Sequence, residues 1–200
     1  MVVHPPTPAR AEDGKAAATA PSAGTEAAKA APKPAVRFAM RNEQVVLPPA
    51  VRDMVDAILF ATHSGDIADL AVAIDWNEMP PIFTPGKSEP AEEGTAGLLQ
   101  HLRTVSKDGQ GVEMLAVLAN LLSVGPAQQP LGRDVENNAV YVWPYLAELE
   151  IARLTPPQLV DLYRLVPADR IAEMRAANRW SWYRLVIGAD GTWHSFMPHR

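Results

Sequence analysis

The apolar positions in the first half of the chain recur at the spacing of amphipathic helices. From Val51 to Leu59 they follow the i, i+3, i+4, i+7 rule, directly after the proline pair at 48–49. Proline fits the first helical turn because no amide donor is needed there. Gly65 is typical of a helix end, and Asp66 is typical of the cap before the next helix. The pattern therefore predicts a helical hairpin at the start of the folded region.

Four more helices are predicted between breaks rich in proline and glycine. A long loop over 77–94 comes first, since it holds four prolines and two glycines. Thr155-Pro156-Pro157-Gln158 has the capping-box pattern with proline at the first helical position. Val112–Val124 is apolar nearly all round, which is typical of a buried helix. The four predicted helices are 95–106, 112–124, 156–165 and 168–178.

Three short segments have the composition of β-strands. Val140–Trp143 is β-branched and aromatic, and Pro144 ends it. Residues 180–187 and 192–197 flank Gly188–Gly191, which reads as a four-residue hairpin loop. Because an isolated hairpin is marginally stable in water, we expect the first segment to join it in a small antiparallel sheet.

The length of that loop predicts the register of the hairpin. It places Val186 opposite Trp193, Leu185 opposite His194, and Tyr183 opposite Phe196. One face would then carry Trp180, Trp182, Val186, Trp193 and Met197, and the other Tyr183, Leu185, Ile187 and Phe196. Since both faces are apolar, both must be covered. Helices cover one face, which leaves the other to further protein, a partner or a ligand.

The chain divides into a tail and a folded region. Residues 1–36 hold twelve alanines, six prolines and no aromatic residue. Such a segment buries too little apolar surface to offset roughly 1–2 kcal/mol per residue of backbone ordering. We predict a disordered tail or spacer over 1–36 and a single α+β domain over 37–200. In that domain an N-terminal helical hairpin and further helices pack on a small antiparallel sheet that ends in a C-terminal β-hairpin.

The tail also bears on the compartment. Ala9-Arg10-Ala11 before Glu12-Asp13 resembles the cleavage end of a secretory signal, although no apolar stretch precedes it. The chain holds no cysteine, so disulfides and thiolate chemistry are excluded. We expect a periplasmic or exported protein, with a cytoplasmic protein as the alternative; a start codon upstream of Met1 is one explanation for the missing apolar stretch.

Charge and hydropathy argue against two classes of partner. The net charge is −5, and the arginines of 151–200 are spread over two helices and a strand, so nothing favours nucleic acid. No apolar run reaches the roughly 18 residues of a membrane span. We therefore expect a small ligand or a protein as the partner, with a homodimer as an alternative.

Few residues carry chemistry. The sequence has no phosphate-binding glycine loop, no dinucleotide fingerprint and no nucleophile elbow, and its histidines lack metal-ligand spacing. No cofactor or metal is therefore expected. His194 lies on a strand beside aromatic residues, where it could act as a general base or simply bond to solvent. Glu148 and Asp161 are its candidate carboxylate partners, whereas Ser195 points to the opposite face.

Aromatic residues are concentrated in two stretches, 141–145 and 180–196. Tryptophan and tyrosine combine a large apolar face with a polar edge, which suits the binding of sugars, peptides and proteins. On paired strands the same residues also serve as core. The candidate ligand-binding residues are Trp143, Tyr145, Trp182 and Trp193.

Four segments resemble a group of uncharacterised bacterial proteins that are often exported. They are Tyr141–Tyr145 (YVWPY), Asp161–Val166 (DLYRLV), Trp182–Leu185 (WYRL) and Asp190–Phe196 (DGTWHSF). The resemblance covers roughly 40–200 and implies export but no established activity. In order of elements the chain is also similar to the NTF2-like (SnoaL-like) cone fold. That fold has more strands than the sequence predicts here, and its Asp/His pair has no clear counterpart.

Three functions fit these features. The leading hypothesis is a non-enzymatic binding or interaction module that uses the aromatic surface. The first alternative is a small hydrolase or isomerase with His194 and a carboxylate in an NTF2-like pocket. The second alternative is a structural subunit of a homodimer.

Overall fold

The computed structural model describes residues 37–38, 45–84, 94–130 and 138–199, and of 37–38 only the backbone. The predicted tail over 1–36 and residues 85–93 of the predicted loop lie outside the described residues. The described part is a mixed α+β fold with helices in its N-terminal part and an antiparallel sheet that ends in a C-terminal hairpin, so the predicted class is confirmed. No helix in these ranges is long and apolar enough to cross a membrane.

Six α-helices form in the described ranges, and their ends follow local sequence signals. The first begins behind Pro48 and ends at Gly65, whose φ of 75° is the left-handed conformation that glycine tolerates. The Asp66 carboxylate then accepts the Ala68 N–H at 2.9 Å and caps a short 3₁₀ turn. The helices are α1 (Pro49–Ser64), α2 (Leu70–Asp75), α3 (Gly94–Val105), α4 (Val112–Leu122), α5 (Pro156–Leu165) and α6 (Ala168–Ala177).

The strands follow one another across the sheet in chain order, and each pairs antiparallel with its neighbour. The second strand is absent from the sequence prediction because it is short and mostly polar. Ile82 adds a single parallel bridge to the outer edge of the last strand. The strands are β1 (Arg37–Phe38), β2 (Ala127–Pro130), β3 (Ala139–Trp143), β4 (Tyr183–Gly188) and β5 (Trp193–Pro198).

The C-terminal hairpin contains a β-bulge that changes its register. Ile187 pairs with Trp193, but Val186 pairs with Ser195, so His194 is an extra residue in β5. A bulge of this kind shifts every pair beyond it. The predicted pairs, Val186 with Trp193, Leu185 with His194 and Tyr183 with Phe196, are wrong for two reasons. The turn closes with a bond from the Gly188 N–H to the Thr192 carbonyl, so Ile187 and not Val186 pairs with Trp193. The bulge then shifts the pairs beyond it by one more residue.

The pairing of Trp193 with Ile187 also places Trp193 on the opposite face from the predicted one. Trp193 packs with Leu185, Ile187 and Phe196 in the main core, together with residues of α1–α4. Trp180, which was expected on the same face as Trp193, belongs instead to a second apolar cluster with residues of α5 and α6. The predicted division of the hairpin into two apolar faces is therefore wrong for its tryptophans.

The second face of the sheet is narrow and buried. Its apolar residues are Val140, Val142 and Val186, and Ala147 from the 3₁₀ turn Tyr145–Glu148 packs against them. All three valines are buried. This face therefore offers a partner less apolar surface than the sequence predicts for the second face of the hairpin.

Candidate functional site

The aromatic residues proposed from the sequence do not form a surface. Trp143, Tyr145 and Trp193 are only 2%, 3% and 0% exposed. Trp193 packs on Phe83 with ring centroids 5.2 Å apart, and its indole N–H donates to the Ser195 carbonyl at 3.2 Å. These three side chains are core material because they are almost fully buried.

Trp182 is the exception among the four. It is half-buried, and its ring lies 5.3 Å from that of Tyr183. Its buried indole N–H has no hydrogen-bond acceptor among the described residues. One partly exposed tryptophan does not make the aromatic surface that the sequence predicts, so that expectation is corrected here.

Asp161, one of the carboxylates predicted to pair with His194, has a structural role. It is buried on α5 and accepts a hydrogen bond from the Tyr145 hydroxyl at 3.0 Å. Arg164 lies 3.3 Å from its other carboxylate oxygen. These contacts attach α5 to the 3₁₀ turn after β3. They give Asp161 no part in a site at His194.

Glu148, the other candidate carboxylate, lies beside the second face of the sheet. It accepts a hydrogen bond from the Gln129 side chain and lies 3.7 Å from the Arg184 guanidinium. Burial raises the pKa of the Glu148 carboxyl above its ordinary value, although Arg184 and Gln129 act in the opposite direction. Neither Glu148 nor Asp161 is among the described residues that line the cavity beside His194.

That cavity is an open space in the described part of the chain. It measures about 440 Å³, which is within the range of small-molecule sites. Its walls come from two places, the segment that follows α2 and the turn of the C-terminal hairpin. The lining residues are Trp76, Glu78, Met79, Pro80, Ile82, Asp190, Thr192, Trp193 and His194. A neighbouring cavity of about 340 Å³ shares Trp76, Asp190 and Thr192 with it and adds Asp53 of α1.

Hydrogen bonds hold the segment that follows α2 against the C-terminal hairpin. The Asn77 side-chain oxygen accepts the Trp193 N–H at 2.7 Å, and its amide nitrogen donates to the Ala73 and Ile74 carbonyls at 3.0 Å each. Further along, the Ile82 N–H donates to the His194 carbonyl at 2.9 Å. The segment between α2 and Ile82 is therefore fixed to β5 at both of its ends.

Trp76 lies on this segment with 56% of its surface exposed, an unusual position for the largest apolar side chain. Met79, three residues on, is also largely exposed. Trp76 lines both cavities. The result is a flat aromatic surface at the boundary between two concave spaces.

The side chains of His194 and Asp190 both lie over Gly188. A methyl group at Gly188 would lie 2.6 Å from Asp190 Oδ1 and 2.8 Å from His194 Nε2, so both polar atoms occupy the space that a side chain would fill. The bulge exposes His194 toward this space. The structure therefore gives His194 a carboxylate neighbour, but the neighbour is Asp190, not Glu148 or Asp161.

The charged side chains that line the site are carboxylates. Hydrogen bonding by the Thr192 N–H, 3.0 Å from Asp190 Oδ1, holds the pKa of Asp190 below its ordinary value, and the nearby His194 acts in the same direction. Glu78 adds a second carboxylate to the larger cavity. No lysine or arginine is among the described residues that line either cavity.

Sequence reasoning found His194 but missed Trp76, Glu78 and Asp190. Asp190 reads as an ordinary turn residue before Gly191. Trp76 carries a usable signal, since it lies two residues after the buried Ile74, where the helical spacing calls for a polar residue. A tryptophan at a polar position just before a proline-rich loop is therefore worth testing as a binding residue.

No group of three or more histidine, aspartate or glutamate residues in the described ranges could hold a metal ion. No protein-family model, curated protein or solved structure matches the chain. The resemblance to an exported bacterial group and to the NTF2-like fold therefore stays a prediction.

Proposed function

We propose that this protein is a binding module for a small organic molecule, and that its site is the cavity between Trp76 and His194. The observation that carries the proposal is the exposed indole of Trp76 on the wall of an open cavity of about 440 Å³. The leading hypothesis from the sequence, a binding module, is thus kept, but its site moves from the buried aromatic residues to a different part of the fold.

The energetics favour occupancy of this cavity. A tryptophan buries up to about 250 Å² of surface, so covering the exposed half of Trp76 is worth about 3 kcal/mol. Because Asn77 and Ile82 already fix the segment that carries Trp76, little ordering is needed on binding. Polar groups of Asp190, Thr192 and His194 are at hand to orient a ligand.

Fluorine NMR of the full chain labelled with 5-fluorotryptophan tests the proposal. The five tryptophan signals are assigned from Trp→Phe variants, and a diverse fragment library is screened for compounds that shift the Trp76 signal. We expect hits whose affinity, measured by calorimetry, falls about tenfold or more in Trp76→Ala. Tyr163→Ala on α5 is the matched control, because Tyr163 is equally exposed at 56% but lines neither cavity. The proposal fails if no compound shifts the Trp76 signal or if Trp76→Ala binds the hits equally well.

The approach of His194 to Asp190 above Gly188 supports a second candidate, a small hydrolase or isomerase. An imidazole in a cavity that also holds a carboxylate can act as a general base toward water or a substrate proton. Turnover would be sought in a panel of small esters, amides and enolisable ketones. We expect any such activity to fall at least 100-fold in His194→Gln and to fall in Asp190→Asn. Activity that survives His194→Gln excludes this catalytic role.

Export and a homodimer remain hypotheses from the sequence. N-terminal sequencing of the native protein tests export, because a processed N-terminus in a periplasmic fraction is expected for an exported protein. Light scattering at two protein concentrations tests the dimer, and a mass that stays monomeric at both contradicts it.

A further inference from the structure

We infer that the ligand of the Trp76 cavity is an organic cation of the ammonium class. This inference rests on the proposed binding function and specifies its ligand. It combines three features of the described residues: carboxylates that form no ion pair with a described lysine or arginine, an exposed indole that lines both cavities, and the absence of lysine and arginine from the lining of both cavities.

Carboxylates line both of the cavities that share Trp76. Glu78 lies with Trp76 on the wall of the larger cavity, and Asp53 of α1 lies with it in the smaller one. Asp190 lines both. Neither Glu78 nor Asp53 forms an ion pair with a described residue, whereas Glu148 and Asp161 each have an arginine neighbour. The field of this site therefore attracts a positive charge and repels an anion.

Trp76 supplies the matching surface. The face of an indole ring carries negative electrostatic potential and binds ammonium groups better than any other side-chain ring. The polarisable thioether of Met79 lies on the same wall. A neutral sugar could also stack on Trp76, but it would gain nothing from the negative field of the carboxylates. A cation satisfies the ring and the carboxylates together.

Choline and its neutral isostere 3,3-dimethylbutan-1-ol separate charge from shape. Both are titrated into the fluorotryptophan-labelled full chain at low salt, and the Trp76 signal is followed. We expect choline to bind at least tenfold more tightly than the alcohol. Because the difference is electrostatic, 0.5 M salt should weaken choline binding and leave the alcohol unchanged.

Two variants assign the preference to the site. Glu78→Gln should reduce the ratio of the two affinities several-fold without abolishing binding of the alcohol. Glu173→Gln on α6 is the control, since Glu173 is a carboxylate that lines neither cavity, and it should leave the ratio unchanged.

The outcomes distinguish this inference from the proposed function. Equal or tighter binding of the alcohol, or a Trp76 shift with acetate or glucose but not with choline, overturns the cation class and leaves the binding site standing. If neither probe shifts Trp76 while library compounds do, the cation class is again wrong. If nothing shifts Trp76, both the inference and the proposed function fail.

Discussion

At the scale of single residues, the hairpin turn contains two glycines with different reasons to be glycine. Gly188 has no positive φ, and a side chain there would meet only the ends of the Asp190 and His194 side chains. Gly191 has a φ of 88°, and a side chain there would lie 2.8 Å from the Ala50 backbone carbonyl. The first glycine leaves room for the site, and the second is required by the backbone.

These two reasons predict losses of stability of different size for the same substitution to alanine. Gly188→Ala should cost about 1 kcal/mol or less in the free energy of unfolding, because the flexible side chains above it can move aside. It should nevertheless push the Asp190 and His194 side chains aside and shift the Cε1–H signal of His194 in a spectrum at fixed pH. Gly191→Ala should cost about 2–4 kcal/mol, since left-handed strain adds to a backbone clash.

Urea unfolding of both variants, with NMR spectra of the histidine Cε1–H signals at one pH, makes the comparison. A His194 Cε1–H signal that does not shift in Gly188→Ala would show that the new methyl group does not reach the His194 side chain. Equal destabilisation by the two substitutions would contradict the distinction between them.

The residues of the site show why its chemistry was only partly predictable. His194 stands out in the sequence because it is one of few histidines outside the termini. Its partner Asp190 resembles any turn aspartate, since the approach depends on the space above Gly188 and not on spacing in the chain. Glu148 and Asp161 are carboxylate candidates from the sequence, but their arginine partners are hard to recognise there. Arg184 is distant in sequence from Glu148. Arg164 lies three residues after Asp161 on the same helix, where an arginine is also typical of a solvated helix surface.

At the scale of elements, the end of α2 is attached to the start of β5 by one side chain. Asn77 makes three hydrogen bonds, one of them to a backbone N–H 116 residues away. Asn77→Ala leaves the Trp193 N–H without its acceptor and should cost about 1–3 kcal/mol in the free energy of unfolding. Urea unfolding measures this cost.

Asn120→Ala is the control for that prediction. Asn120 is exposed on α4, and its substitution should change stability by less than about 0.5 kcal/mol. Similar small effects of both substitutions would mean that the Asn77 bonds are replaced by water and that they do not position Trp76.

The same long-range contacts explain which elements the sequence could predict. Helix ends were predictable because proline, glycine and capping residues act locally, as Gly65 and Asp66 show. The hairpin register was not predictable. The bulge at His194 lies where Asn77 and Ile82 bond to the backbone of β5, and these two residues come from a distant segment of the chain. β2 was missed because four mostly polar residues carry no periodicity.

At the scale of the whole molecule, Glu148 makes stability depend on pH. Its pKa is raised in the folded protein, so the unfolded chain loses the proton first as the pH rises above the ordinary value of 4.5. The free energy of unfolding of the wild type should therefore fall, relative to Glu148→Gln, as the pH rises from about 4 toward neutral. The glutamine cannot ionise, so the variant lacks this decrease.

Urea unfolding at pH 4, 5, 6 and 7 follows the difference between the two proteins. Glu150→Gln provides the comparison, since Glu150 is exposed and its difference from the wild type should stay flat with pH. If the wild type instead gains stability over Glu148→Gln as the pH rises, the ion pair with Arg184 outweighs the burial of the carboxylate.

The single bridge made by Ile82 has a consequence for the lifetime of the protein in solution. The bonds of Ile82 to His194 and Phe196 occupy outer backbone groups of the last strand, and Ile82 also lines the cavity. Detachment of this segment would thus open the cavity and bare a strand edge to which other chains can add. Loss of the binding site and the first step of aggregation are the same physical event, so any occupant that holds the segment down should also keep the protein dispersed.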